Sequence, residues 1–244
     1  MCRPILSHVS LIEHLARRVA RNPGPPLVTW YGRGPDGVAD ARTELSAVTF
    51  ANWVDKIANL LADEIDLADG DTAAMPVLQQ HPGHWQSLAT VLAVWQRGAT
   101  VTVGVPGGDA TIVGPDSPAG AGWTAALSLH PLGLGLRDQL VDGVVDLCPE
   151  ALSQPDAHDE GYLDLEAEAW QEEGFDQTHA SLLEVMPEPE RRLVDLTNWS
   201  GSVWPVIEAA VIAPILGGGS AVVVDAGDVA ALAAAEKATT IVQL

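Results

Sequence analysis

The sequence predicts an α/β fold in three layers, with a mostly parallel sheet or sheets flanked by helices. Stretches with apolar residues at helical spacing alternate with short apolar, β-branched runs, and the joints between them are short. Hydrophobic residues make up 47% of the 244-residue chain, which is enough for a sizeable core. Helices that alternate with buried strands in this way are typical of parallel sheets.

The N-terminal elements are marked by caps and alternation. Ser10 and Glu13 form a capping box for a helix that carries Leu11, Leu15 and Val19. Residues 27–31 and 43–48 are strand-like and predict a hairpin. A helix follows, with Thr49 as its predicted N-cap. Its apolar stripe consists of Phe50, Trp53, Val54, Ile57, Leu60, Leu61 and Ile65.

The next stretch repeats the strand and helix pattern. Residues 72–78 are a predicted buried strand, and residues 100–103 are a second. The helix between them has an apolar stripe and ends at Gly98. Residues 110–113 predict a short strand, residues 123–136 are expected to be irregular, and residues 140–147 fit either a strand or a short helix. The helix's stripe consists of Trp85, Leu88, Val91, Leu92 and Trp95.

An acidic segment divides the chain. Residues 138–190 hold 16 Asp and Glu residues and no Lys or Arg. Like charges at Glu166, Glu168, Glu172 and Glu173 destabilise a helix, so residues 166–173 are expected to be a solvated helix or a mobile loop. Part of residues 153–176 is expected to be mobile, because the segment has few large apolar residues to bury. The predicted organisation is a first α/β subdomain (1–137), this connecting segment (138–190) and a second α/β block (191–244). Asp156, His158, Asp159 and Glu160 could be metal ligands, but their spacing favours a surface loop and no metal site is predicted.

Regular structure is predicted again from Arg191 onward. Residues 192–199 begin with a strand, and residues 205–216 form an apolar helix with Pro205 in its first turn. Three glycines, 217–219, end that helix before a buried strand at residues 221–224. Asp228 is the expected cap of a further helix, and residues 239–242 are the last strand.

Charge and cysteine content exclude several functional classes. The chain has 12 Lys and Arg against 33 Asp and Glu, a formal net charge of -21, which disfavours nucleic acid and anionic membranes as partners. Cys2 and Cys148 provide neither a disulfide framework nor a zinc site. No apolar run reaches membrane-spanning length and no signal peptide is recognisable, so a cytoplasmic location is expected.

Several short motifs occur in an order that resembles a known family. They comprise Thr49-Phe50, Ala58 to Ala62, Gly70-Asp71, Ala93 to Ala99, His179 to Leu183, Pro214 to Leu216, Gly218 to Asp225 and Thr239 to Val242. Together they resemble the N-terminal region of the adenylate-forming enzymes: acyl- and aryl-CoA synthetases, luciferases and peptide-synthetase adenylation domains. The resemblance runs along most of the chain and fails in the acidic segment.

The resemblance implies a phosphate loop, "S-G-T-T-G-x-P-K-G", directly before His179. The corresponding residues 171–178 contain one glycine, no lysine and three carboxylates, those of Glu172, Glu173 and Asp176. The family's magnesium ligand, ribose-binding Asp and catalytic Lys are not found either. The resemblance therefore implies a truncated, degenerate relative with no catalytic residues and no cofactor.

The family's acyl or aryl pocket maps onto residues 198–201. We therefore predict ligand-binding roles for Asn198, Trp199, Ser200 and Gly201, with core packing of Trp199 as the other interpretation. The expected function is non-catalytic binding of a small carboxylate ligand or a protein partner, in an oligomeric state that the sequence leaves open. One alternative is half of a split ligase that uses ATP and forms AMP together with a separate C-terminal partner. Another is an acidic interaction protein that docks a basic partner.

Overall fold

A computed structural model describes residues 9–34, 37–105, 107–115, 123–136, 140–159, 161 and 163–244. In these residues the strands form two sheets, one of five and one of seven strands. All neighbouring strands are parallel except one pair in each sheet. Mostly parallel sheets flanked by helices were predicted, and this prediction is confirmed.

The first sheet joins the two ends of the chain. A strand near the N-terminus pairs parallel with one from the last thirty residues, with Val28 opposite Ala221 and Tyr31 opposite Val224. The antiparallel pair is the predicted N-terminal hairpin. In spatial order the strands are β12 (Thr240–Gln243), β10 (Arg191–Asp195), β11 (Ser220–Val224), β1 (Pro26–Gly32) and β2 (Ala41–Ser46).

The second sheet is built from the middle of the chain. Its antiparallel pair is a hairpin at one edge, made from residues of the acidic segment. In spatial order the strands are β7 (Val144–Asp146), β6 (Trp123–Ala126), β5 (Ala110–Val113), β3 (Thr72–Ala74), β4 (Thr100–Val103), β8 (Glu168–Glu172) and β9 (Phe175–Thr178). A 3₁₀ turn over Pro76–Gln79 completes the stretch in which a longer strand was predicted, since Pro76 cannot donate to a sheet.

The helices pack between and around the sheets. Helix α1 (Leu11–Arg21) has the predicted capping box. Helix α2 (Ala47–Asp63) begins three residues earlier than predicted, because the Ser46 hydroxyl is its cap and accepts the N–H of Thr49. Helix α3 (Trp85–Gln96) is buried at all of its residues and contacts both β1 and β4. Its apolar residues lie on more than one face, and a helix of this kind belongs in such a central position. The short helix α4 covers Leu147–Leu152.

The apolar helix predicted at residues 205–216 is one continuous run. It consists of α5 (Trp204–Ile207), a π-helical segment (Glu208–Ile212) and α6 (Ala213–Gly217). Gly218 ends it with φ +82°, in the left-handed conformation that favours glycine. Gly217 is required for a different reason, since a Cβ there would overlap the backbone of Glu188. Helix α7 (Val229–Glu236) follows, capped by Asp228 as predicted.

Two local predictions are wrong. Residues 123–126 were expected to be irregular, but they form β6 between β5 and β7, so parallel neighbours at distant positions decide the conformation. Residues 166–173 were expected to be a solvated helix or loop, but most of them form β8. In that strand Ala169 and Trp170 are fully buried.

The three predicted segments contribute unequally to the two sheets. Residues 1–137 supply strands to both, residues 191–244 supply three strands to the first, and the acidic segment supplies β7, β8 and β9 to the second. The boundary at 137/138 lies outside the described residues. The division into these segments, and the mobility expected within residues 153–176, stay predictions.

Candidate functional site

A cleft of about 310 Å³ opens at the carboxyl ends of three strands of the first sheet. Arg33, Leu196 and Asp225 each follow directly on one of these strands, β1, β10 and β11. In open α/β sheets, ligands bind outside the carboxyl ends of the strands. The cleft is lined by Trp30, Arg33, Gln80, His81, Pro82, His84, Leu129, Leu196, Trp199, Asp225 and Ala226.

A loop before α3 closes one side of the cleft. It approaches the sheet so closely that a Cβ on Gly83 would lie 2.5 Å from Leu196 Cδ1 and 2.6 Å from Val223 Cγ1. The absence of a side chain at Gly83 therefore lets His84 reach the sheet. The imidazole of His84 stands edge-on to the indole of Trp30, with ring centroids 4.5 Å apart.

Asp225 is a carboxylate in an apolar wall. Trp30 Nε1 donates a hydrogen bond to Asp225 Oδ2 at 2.5 Å. Burial raises the pKa of Asp225 to about 6, and the hydrogen bond from Trp30 opposes this rise. A carboxyl group with this pKa changes its charge near neutral pH, unlike an exposed aspartate.

His84 is a buried histidine in the wall of the cleft. Burial, with a smaller effect of His81, lowers the pKa of His84 to about 3, although the nearby Leu129 carbonyl opposes the lowering. The ring is therefore neutral at physiological pH. Its Nδ1 accepts the N–H of Gln86 at 3.2 Å and caps α3, which places the proton on Nε2. Nε2 is buried and makes no hydrogen bond of standard geometry to any described residue.

The structure brings one of the four predicted site residues to this cleft. Trp199 lines it and is half-buried. Asn198 is exposed beside the cleft, with its Nδ2 3.4 Å from Thr197 Oγ1, and Ser200 and Gly201 are exposed as well. Their roles as ligand-binding residues stay predictions.

Sequence reasoning missed the other side of the cleft. Trp30, His84 and Asp225 come from distant parts of the chain. The parallel pairing of β1 with β11 brings Trp30 to Asp225, and the loop before α3 adds His84. One signal was available for Asp225, an acidic residue that directly follows a buried apolar strand. His84 caps α3 and is only 2% exposed.

The hairpin of β8 and β9 lies where the resemblance places the phosphate loop. Glu172 pairs with Phe175, so two residues, Glu173 and Gly174, make the whole turn. The Glu172 carboxylate accepts hydrogen bonds from Ser202 Oγ at 2.9 Å and from the N–H groups of Val203 and Trp204 at 2.8 and 3.2 Å. These groups lie at the start of the helical run that begins with α5. A glutamate of the hairpin thus occupies a helix N-terminus, a position that favours anions.

The acidic loop that was considered as a metal site makes polar contacts with other parts of the protein. His158 Nδ1 lies 2.7 Å from Asn59 Oδ1, and its Nε2 lies 3.2 Å from Arg97 Nη1. Asp156 forms an ion pair with Lys56 at 2.9 Å. Glu160, the fourth residue of the cluster, lies outside the described residues. In the part of the chain that the structure describes, no group of three His, Cys, Asp or Glu side chains could hold a metal ion.

Solved structures of acyl-CoA synthetases share this architecture. An acyl-CoA synthetase from Brucella canis superimposes with a TM-score of 0.73 at 13% identity, over 97% of this chain and 47% of its own. A fatty acyl CoA synthetase from Mycobacterium tuberculosis gives 0.63 at 15% identity, over 94% and 48%. A coronafacic acid ligase from Pectobacterium brasiliense gives 0.64 at 12% identity, over 96% and 50%. The chain has the fold of acyl-CoA synthetases.

The match found by sequence covers a smaller part of the chain than the structural matches do. The chain is 38% identical over 122 residues to a TIGR03089 family protein from Mycobacterium tuberculosis, which covers 46% of this chain and 47% of that protein. No family model matches. The chain therefore spans about half the length of the proteins it matches. The acyl-CoA synthetase fold predicted from the short motifs is confirmed, and it covers about half of each synthetase.

None of the described helices is long and apolar enough to cross a membrane.

Proposed function

We propose that this protein is a non-catalytic relative of acyl-CoA synthetases that binds a small carboxylic acid in the cleft at Trp199. The observation that carries the proposal is the hairpin of β8 and β9. Its two-residue turn leaves no loop to surround a phosphate, and its Glu172 is already bound at a helix N-terminus. The cleft, in contrast, is open and has aromatic walls.

The chemistry of adenylation supports the non-catalytic part. Activation of a carboxylate by ATP requires donors and cations placed in advance around the phosphates. The hairpin offers Glu172, Glu173 and Asp176 instead, and Glu173 and Asp176 are exposed. Loss of one electrostatic donor typically costs about 10²–10³ in rate. Fixed negative charges in the same place would add repulsion of the triphosphate.

The cleft has complementary groups for a carboxylic acid, provided that Asp225, whose pKa is raised to about 6, is protonated when the ligand is bound. The indole rings of Trp30 and Trp199 provide apolar walls for an acyl or aryl body. The Nε2–H of His84, which lies near the Leu129 carbonyl, would donate to a carboxylate oxygen. Arg33, exposed at the cleft, would supply a positive charge; its Nη1 now donates to the Gly37 carbonyl at 2.9 Å.

The test combines binding with turnover. We expect at least one member of a panel of benzoate, phenylacetate, hexanoate and octanoate to bind saturably by isothermal titration calorimetry. Trp199→Ala should weaken it about tenfold or more, because large aromatic side chains dominate such sites. Trp123→Ala is the matched control, since Trp123 is 54% exposed and lies outside the cleft. Equal binding in both variants would contradict the assignment of the cleft.

Turnover is measured on the same samples. ATP–pyrophosphate exchange with fatty, aryl and amino acids should stay at background, because the phosphate-binding groups are replaced by carboxylates. Magnesium-dependent exchange by the purified chain, abolished by Trp199→Ala, would overturn the non-catalytic assignment.

One observation favours the second candidate, half of a split ligase. Strand β12 is an edge strand without charge or proline, and its Ile241 is 51% exposed. Such an edge can accept another strand. Under this candidate a separate chain completes the fold at β12, and Ile241→Lys would prevent that association. A neighbouring reading frame that encodes such a chain, and pyrophosphate exchange on mixing the two, would support it.

A further inference from the structure

Helix α1 carries a stripe of cationic side chains on one face. Arg17, Arg18 and Arg21 are spaced at three and four residues, so they lie above one another along the helix, and the imidazole of His14 precedes them on the same face. Three of the chain's 12 Lys and Arg residues thus fall within two turns of a protein with a net charge of -21. Like charges at this spacing destabilise a helix, and the favourable position near its C-terminus offsets this only in part.

The stripe forms one wall of a second cleft, separate from the one at Trp199. This cleft has a volume of about 350 Å³ and lies between α1, the Asn22 to Pro25 turn and the end of α6. Pro25, Ile215 and Leu216 contribute apolar surface to it. The cleft is therefore cationic on one side and apolar on the other.

The arginines of the stripe have different roles. Arg18 is half-buried and structural: its guanidinium donates to the carbonyls of Pro26 at 3.2 Å, Pro214 at 3.1 Å and Gly219. Arg17 and Arg21 are exposed, and neither has a hydrogen bond or an ion pair with any described residue. Arg17 and Arg21 can therefore contact a ligand, whereas Arg18 already uses its guanidinium in hydrogen bonds to the backbone.

The nearest carboxylate on the helix does not neutralise them. Glu13 Oε2 accepts the backbone N–H of Ser10 at 2.8 Å and completes the capping box at the other end of α1. In agreement with an excess of positive charge, the pKa of His14 is lowered by burial first and then by Arg17 and Arg21, with Glu13 opposing.

We infer that this cleft binds the phosphate group of a small phosphorylated molecule. Arg17 and Arg21 would hold its oxygens from one turn of helix apart, and the apolar wall would contact its organic part. One arginine can bind either a carboxylate or a phosphate through two hydrogen bonds. Two separate guanidinium groups together suit the three oxygens and the double charge of a phosphate dianion. The overall negative charge does not prevent this, since at physiological salt charges beyond about 8 Å are largely screened.

Calorimetric titration with inorganic phosphate and with phenyl phosphate at low salt tests the inference. We expect saturable binding with one site, tighter for phenyl phosphate because of the apolar wall, and weaker with added NaCl. Arg17→Gln and Arg21→Gln should each weaken binding about tenfold, the loss of one charge-assisted hydrogen bond. Both residues are exposed and uncommitted, so the variants should melt like the parent.

Two controls make the result specific. Lys237→Gln removes one charge from an exposed residue outside the cleft and should leave the affinity unchanged. Trp199→Ala, in the other cleft, should also leave phenyl phosphate binding unchanged. The inference is wrong if neither probe binds saturably, if both arginine variants bind like the parent, or if Lys237→Gln weakens binding as much as they do. Benzoate that competes with phenyl phosphate at equal affinity would also overturn the preference for phosphate.

Discussion

Asp225 and Trp30 show how one side chain can depend on the rest of the fold. Their positions in the sequence are almost 200 residues apart, yet the indole N–H of one binds the carboxylate of the other at 2.5 Å. Burial raises the pKa of Asp225 to about 6 from its ordinary 3.8. The folded state therefore binds a proton more tightly at this residue than the unfolded chain does.

The raised pKa of Asp225 makes the free energy of unfolding depend on pH. Because the folded pKa is the higher one, Asp225 destabilises the folded protein increasingly as the pH rises from about 4 to about 6. Asp225→Asn keeps an acceptor for Trp30 but cannot ionise. We expect its advantage in free energy of unfolding over the parent to widen by about 1 kcal/mol between pH 5 and pH 8. Urea unfolding at the two pH values measures this, and Asp176→Asn, at an exposed residue, is the control. A constant difference would mean that Asp225 titrates normally.

At the scale of elements, the hairpin of β8 and β9 is fastened to the helical run that starts at Trp204. Trp204 packs against Trp170 and Phe175, each at a ring-centroid distance of 5.5 Å. Glu172 adds the acceptor for the first N–H groups of that run. The hairpin therefore caps the helix.

Glu172→Ala should therefore lower the free energy of unfolding by on the order of 1–3 kcal/mol, since it leaves helix N–H groups without their acceptor. Glu173→Ala is the matched control on the same turn. Glu173 is exposed, and its substitution should change stability by less than about 0.5 kcal/mol. Thermal or chemical unfolding of both variants measures the difference. Equal effects would show that the carboxylate of Glu172 contributes little.

The elements that the sequence predicted well are those with local signals. Helices α2 and α3 have apolar stripes and caps within their own residues. Strands β6 and β8 could not be found in this way, because their conformation depends on neighbours far along the chain. The residues of the cleft differ in the same way: some have a signal in the sequence and others have none. Trp199 was found through a motif. Trp30 and His84 carry no pattern of their own: the pairing of β1 with β11 brings Trp30 to Asp225, and the loop before α3 brings His84 to Trp30.

At the scale of the whole molecule, the two ends of the chain share a sheet and a polar network. Glu236 of α7 forms ion pairs with Arg42 of β2 at 3.0 Å and Arg191 of β10 at 2.5 Å. The hydroxyl of Tyr31 in β1 also donates to Glu236. Since β11 lies between β1 and β10, neither end can complete the first sheet alone.

We therefore expect residues 1–137 and 191–244 to unfold together. Circular dichroism and tryptophan fluorescence should report one coincident transition in urea. Val223→Ala, a cavity in the fully buried β11, should shift both signals equally. Two separate transitions, or a shift in one signal only, would mean that the segments predicted from the sequence are independent domains.

Because β11 lies in the middle of the first sheet, that sheet cannot be completed until β11 has been synthesised. Strand β1 ends at Gly32, and its parallel neighbour begins at Ser220. At about 5–20 residues per second, a newly made β1 waits on the order of ten to forty seconds for this partner. During that time the edge of β1 that β11 will cover is open, and buried positions such as Leu27 and Val28 lack part of their packing. Until residues 220–224 have left the ribosome, this open strand edge can pair with other chains.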